Sequence, residues 1–114
     1  MERTSISLDG NLFTKGPPQP KIIYSGPEGE IGLAVVHELL WITARYDLDL
    51  RKKENLLRVV ALAEEAFEAL RQKGVKYLYC MAETYEAIKF NQVLGFKQVN
   101  ATLHDKYEVM EKEL

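Results

Sequence analysis

RKKENLLRVVALAEEAFEALRQKGVKYLYCMAETYEAIKFNQVLGF, residues 51–96, is the stretch whose pattern sets the fold. Leu56, Val59, Val60, Ala63, Ala66, Phe67 and Leu70 recur at three- and four-residue spacing, which places them on one face of an amphipathic helix. Arg58, Glu64, Glu65, Glu68 and Arg71 fall on the opposite, solvated face. Gly74 is expected to end this helix in the left-handed conformation, with Arg71 and Lys73 placing positive charge at the end where the dipole favours it. Val75–Met81 then reads as a buried strand, and Tyr85–Leu94 as a second helix stopped by Gly95.

Working outward, Lys21–Ser25 is a short strand, Gly26-Pro27-Glu28-Gly29 is a turn, and Glu30–Leu40 returns to complete a hairpin. Ile31–Ile42 is almost continuously apolar, so helix competes over Leu33–Leu40, but the β-forming Trp41, Thr43 and Tyr46 favour strand. Ile42, Ala44, Tyr46, Leu48 and Leu50 alternate with polar residues and predict a strand with one buried face up to Arg51. Phe96–Asn100 and Lys106–Glu111 read as two further strands joined by a polar turn near His104 and Asp105. The expected class is α/β (α+β), a small mixed sheet of about six strands covered by two helices in the order β-β-β-α-β-α-β-β.

Residues 1–20 contain Gly10, Gly16, Pro17, Pro18 and Pro20, which deny sheet or helix continuity after a short strand at Thr4–Leu8. They are expected to form an extended arm, held on its own domain or on a protein partner, with residues 21–114 as the domain proper. The 114 residues allow one core. Hydrophobic content of 46% and a net charge of −2 describe an ordinary globular chain without the clustered basic charge of a nucleic-acid binder. No apolar run has the length to span a bilayer and no signal-peptide core is evident, so a cytoplasmic location and no membrane partner are expected. Cys80, His37 and His104 lack paired-ligand spacing, and no metal is expected.

Ala87-Ile88-Lys89-Phe90-Asn91-Gln92-Val93-Leu94-Gly95-Phe96 resembles the helix-and-stop of the GNAT acetyltransferase superfamily, and Arg51-Lys52-Lys53-Glu54-Asn55-Leu56 occupies the place of that family's coenzyme A pyrophosphate loop. The resemblance covers residues 21–114 and implies a GNAT-like fold, truncated at the N-terminus. It also implies acetyl-coenzyme A as ligand, with Arg51, Lys52, Lys53 and Asn55 as the cofactor-binding residues. The sequence departs from the family pattern at several points. Glu54 and Leu56 stand where glycine or alanine is usual, adding an anion and bulk where phosphate must approach backbone. Glu54 and Asn55 also suit a capped helix start with no cofactor. Asn91 stands where the resemblance implies a tyrosine acid, and an amide cannot give up a proton. Thr84 replaces an asparagine but still serves as a helix N-cap. The two helices that would form a wall over the acceptor have no counterpart, unless a partner supplies them.

Among candidate bases, His37 and Glu38 belong to the strand Glu30–Leu40, and Asp47 and Asp49 to the end of the next; spacing selects none of them, and no catalytic residue is assigned. Cys80 has no charged neighbour and reads as a small buried hydrophobe. Trp41, Tyr46, Tyr77, Tyr79 and Tyr85 are either interface anchors or sheet-face packing. Two functions follow. The departures favour a non-catalytic GNAT-like binding or structural module without a cofactor, oligomeric or joined to a larger assembly through its arm and aromatic surface. A phage virion or accessory protein is one such setting, although no residue pattern marks it. The alternative is a minimal acetyl-coenzyme A-dependent N-acetyltransferase.

Overall fold

The computed structural model describes residues 6–8, 20–103 and 105–114. Eight elements follow in the expected order: β1 (Lys21–Gly26), β2 (Gly29–Val36), β3 (Leu39–Tyr46), α1 (Lys53–Gln72), β4 (Tyr77–Ala82), α2 (Tyr85–Val93), β5 (Lys97–Leu103) and β6 (Tyr107–Glu113). The strands form one mixed sheet in the order β1-β2-β3-β4-β6-β5. All neighbours are antiparallel except β3 and β4, which run parallel and are joined by α1. The crossovers through α1 and α2 both progress towards β5, so right-handed connection puts both helices on the same face of the sheet.

The apolar stripe of α1 builds the core on that face. Val59, Leu62, Ala63, Ala66, Phe67 and Leu70 are buried, and Leu62 joins the set that the spacing predicted. All of them except Val59 share one core cluster with Ile23, Ile31 and Leu33 from the first hairpin, and Leu78, Cys80 and Met110 from the centre of the sheet. Phe67 meets Phe96 edge-on with ring centroids 5.9 Å apart, which ties the end of α2 to the middle of α1. Both helices stop as the glycines require. At Gly74 (φ 90°) and Gly95 (φ 97°) the following amides, Val75 and Phe96, donate back to the carbonyls of Leu70 and Asn91.

Two departures from the expected strands go beyond shifts of one to three residues at the ends. The run Glu30–Leu40 is broken at His37 and Glu38, which take positive φ (53° and 64°) and form a two-residue hairpin turn between β2 and β3. His-Glu carries none of the glycine or asparagine that usually marks such a turn, so the apolar run hid it. The following strand ends at Tyr46 rather than near Arg51. There the Asp47 amide donates to the Glu28 carbonyl and the Asp47 carboxylate accepts two bonds from Arg45, turning the chain into the loop 47–52. Of the arm, residues 1–5, with the first two residues of the expected strand Thr4–Leu8, and residues 9–19 lie outside the described residues. Ile6 is buried in the core and the Ser7 amide donates to the Ile23 carbonyl at 2.8 Å, so this part of the arm lies along β1 of its own domain.

The turn Gly26–Gly29 carries a buried carboxylate that sequence patterning did not single out. Glu28 accepts hydrogen bonds from the Tyr24 hydroxyl and from Arg58 Nη2 of α1, the latter at 2.9 Å. Those bonds, that of Tyr24 first, hold its carboxyl below the usual carboxylate value against the opposing effect of burial. A depressed folded pKa contributes stability that is present above the unfolded value and is lost as pH falls through the folded one. Glu28→Ala should lower unfolding stability by about 1 kcal/mol at pH 7, because Tyr24 and Arg58 each lose their hydrogen bond to the carboxylate. In urea melts between pH 7 and 3, Glu28→Gln should show a shallower acid-side loss than the native chain; equal slopes would remove Glu28 from the acid response.

Candidate functional site

β3 and β4 are the weak seam of the sheet. β2 and β3 pair from Gly29↔Tyr46 to Val36↔Leu39, but β3 and β4 register only at Trp41↔Tyr79. The two rings pack across the seam with centroids 5.7 Å apart. Each is anchored at its polar end, the Trp41 indole N–H to the Val36 carbonyl at 3.3 Å and the Tyr79 hydroxyl to Glu111 at 2.6 Å. The carboxylate at its hydroxyl, with some burial, pushes the Tyr79 phenol up to about 12.

Beyond this pair the strands carry no ladder, and a cavity of about 560 Å³ occupies the opening. Ile42, Ala44 and Tyr46 of β3 form one wall and Cys80 and Met81 of β4 the other. Ala63 and Phe67 of α1, with Ala87, Phe90 and Asn91 of α2, close it from the helix side. Glu83, Glu86 and Tyr107 line the cavity as well, and Leu50 carries it to the loop that precedes α1.

That loop leaves the start of α1 open. Lys52 is the N-cap, in extended conformation, and no side chain caps the helix. The first internal bond runs from the Leu56 amide to the Lys52 carbonyl. The amides of Lys53, Glu54 and Asn55 therefore have no hydrogen-bond partner among the described residues. The side chains that would normally cap are engaged elsewhere. Asn55 donates through Nδ2 to the Asp49 carbonyl at 3.1 Å, and Asp49 accepts the backbone amide and both guanidinium bonds of Arg51. Those bonds hold Asp49 below its ordinary value and Arg51 above its own. The capped start that Glu54 and Asn55 suggested is thus replaced by a start at Lys53 with Asn55 in its first turn.

Of the four residues expected at a pyrophosphate, Arg51 is paired with Asp49 and Asn55 is turned onto the loop backbone. Lys52 and Lys53 are exposed, and no ion pair engages them among the described residues. Glu54 and Leu56, the two departures from the family loop, do not line the cavity. The four candidate bases are not brought to it either. His37 and Glu38 sit at the opposite end of β3, Asp47 is paired with Arg45, and Asp49 with Arg51. Glu83 and Glu86 are the carboxylates on the cavity wall, and Glu83 pairs with Lys106 at 3.4 Å.

The aromatic set divides. Trp41 is buried at the seam and Tyr46 faces the cavity edge-on to Phe90 at 5.3 Å, whereas Tyr77 and Tyr85 are 46% and 68% exposed. Burial, with the neighbouring Cys80, pushes the Tyr46 phenol up to about 12, so it is protonated at neutral pH. Asn91 lines the same cavity and carries no transferable proton. Thr84 caps α2 as expected, accepting the Ala87 amide at 3.1 Å. Among the described residues no group of three His, Cys, Asp or Glu is placed to hold a metal, and no helix is long and apolar enough to cross a membrane.

No family model and no curated protein matches the sequence. Among solved structures, the chain is similar to a protein from Agrobacterium tumefaciens provisionally described as an acetyltransferase. The two share 17% identity and a TM-score of 0.53, over 84% of this chain and 75% of that one. The fold is GNAT-like. In this GNAT-like domain the open seam lies beside the uncapped helix start, with Leu50 on the wall between them.

Burial pushes the Cys80 thiol up to about 12, which keeps it from forming thiolate near neutral pH. At pH 8 it should react with a thiol-specific disulfide reagent about a hundredfold or more slower than free cysteine. Rapid labelling of the folded protein would contradict the burial of this thiol on β4.

Proposed function

We propose that this domain binds a coenzyme A thioester in the opening between β3 and β4, with the pyrophosphate at the start of α1. The carrying observation is the coincidence of two features. The opening reaches Leu50, and the helix immediately beyond presents three unpaired amides beside two lysines that no ion pair engages among the described residues. An uncapped helix start with convergent amides suits a phosphate, and Lys52 and Lys53 add positive charge beside Arg51, which is paired with Asp49. The largely apolar walls suit the uncharged arm that joins pyrophosphate to thioester.

When bound, the thioester supplies an activated acyl carbon. The chain's own residues would hold and orient it: the Lys53–Asn55 amides at the phosphates, and Ile42, Ala44 and Cys80 along the arm. Tyr46 brings a protonated hydroxyl to the cavity wall. Transfer to an amine would further need a base, and Glu86 is the wall carboxylate that no ion pair engages among the described residues.

A second function, a non-catalytic module in a larger assembly, is favoured by one observation. Tyr77 and Tyr85 are exposed aromatic residues of the kind protein interfaces use, while Asn91 brings no proton to the cavity. Its partner would be a protein, with the N-terminal arm as the proposed attachment.

Calorimetry at low salt separates the two. Acetyl-coenzyme A should bind, and replacing Lys52 and Lys53 together by alanine should weaken binding about tenfold, with the effect shrinking as salt rises. Asp49→Asn, which frees Arg51, should tighten it. No heat up to millimolar ligand would overturn the proposal and leave the exposed tyrosines as the functional surface.

A further inference from the structure

The cavity is deeper than an acetyl group needs. Its inner end is formed by Ile31, Ala63, Phe67, Leu94 and Phe96, all buried, from β2, α1 and the end of α2. These belong to the core between helices and sheet, so the opening at the seam continues inward instead of closing behind Ile42 and Cys80. The volume of about 560 Å³ compares with the ~150 Å³ that suffices for a benzene molecule in an apolar protein cavity.

The chemistry of the two ends differs. Glu83, Glu86, Asn91, Tyr46 and Tyr107 are exposed or half-buried cavity residues that can hydrogen-bond water. The inner five residues offer no polar side chain; the Lys112 ammonium, which packs over the Phe67 ring at 4.9 Å, is not among the residues that line the cavity, and Cys80 on the β4 wall is a protonated thiol. Water needs two to four polar partners to be held in such a place, so the inner end suits hydrocarbon. Alanine recurs where the space is made: Ala44 on β3, Ala63 on α1 and Ala87 on α2.

We infer that the cavity accepts a thioester whose acyl chain is longer than acetyl, with the chain in the apolar end bounded by Ala63, Phe67, Leu94 and Phe96. This rests on the coenzyme A reading for the ligand's head but not for its tail. The continuity of one cavity from Leu50 to Phe67 gives the direction: a ligand anchored at α1 enters past Leu50 and places its far end against the core. A straight acyl chain is the part of a thioester that can use surface with no hydrogen-bonding groups.

The test is a chain-length series, acetyl, butanoyl and hexanoyl, measured as coenzyme A thioesters and in parallel as pantetheine thioesters, which lack the pyrophosphate. Affinity should rise about fourfold for each methylene buried, so that hexanoyl, which is four methylenes longer, binds about 250-fold more tightly than acetyl. Ala63→Leu fills the inner end and Ala87→Leu narrows the cavity from the α2 side; each should abolish that rise, with thermal melts confirming that each variant is folded. The native series decides alone if a variant does not fold.

Affinity that is flat or falls with chain length in both series overturns the inference. A rise in both series with no advantage of coenzyme A over pantetheine supports the acyl pocket and overturns the phosphate site at α1. No binding in either series overturns both.

Discussion

Parallel strands β3 and β4 are held together at one residue pair, and the rest of the architecture is arranged around that fact. Trp41 and Tyr79 pack across the seam, each fixed by a hydrogen bond at its polar end, and beyond them the two strands share no further registered pair. A sheet opened in its interior exposes unpaired backbone and apolar side chains, which is costly unless something covers them. Here α1 and α2 roof the opening from one side without filling it, because Ala63 and Ala87 stand at the facing positions. The same helices pack tightly elsewhere, through the buried Val59, Ala66 and Leu70. The void therefore runs from the seam inward only as far as Phe67 and Phe96.

Rigidity around the seam comes from the antiparallel pairs on either side and from two polar ties. Glu28 joins the first hairpin to α1 through Arg58, and the Asp47 amide bonds the same turn by way of the Glu28 carbonyl. Both fix the loop 47–52, and with it the direction in which α1 begins. Within that loop Asp49 gathers Arg51 and the Asn55 side chain, so no acidic group remains to cap the helix. The exposed amides at Lys53–Asn55 are thus a consequence of how the loop satisfies itself.

The order of elements was legible because α1 has a clean 3.6-residue stripe and both helices end at glycines that form the same stop. The hairpin at His37–Glu38 was not, since neither residue advertises positive φ and the flanking residues are all apolar. The loop at Arg51 was legible in place but not in detail. Which cation is free depends on Asp49 turning back onto Arg51, a contact between residues two apart whose formation no spacing rule dictates. Glu83, Glu86 and Tyr107 were out of reach for another reason. They come from the strand β4 exit, α2 and β6, and meet only because β6 inserts between β4 and β5 in the sheet. Tyr46 was visible as an aromatic on a strand; its facing the cavity follows from the register Gly29↔Tyr46.

Whether the seam and the start of α1 form one binding site is decided most directly by the amide chemical shifts of the labelled protein, followed residue by residue as coenzyme A is added. The largest changes should fall on Lys53, Glu54 and Asn55, continue through Leu50 and Ala44, and reach Cys80. Changes confined to the surface around Tyr77 and Tyr85, or none at millimolar coenzyme A, would contradict a single site.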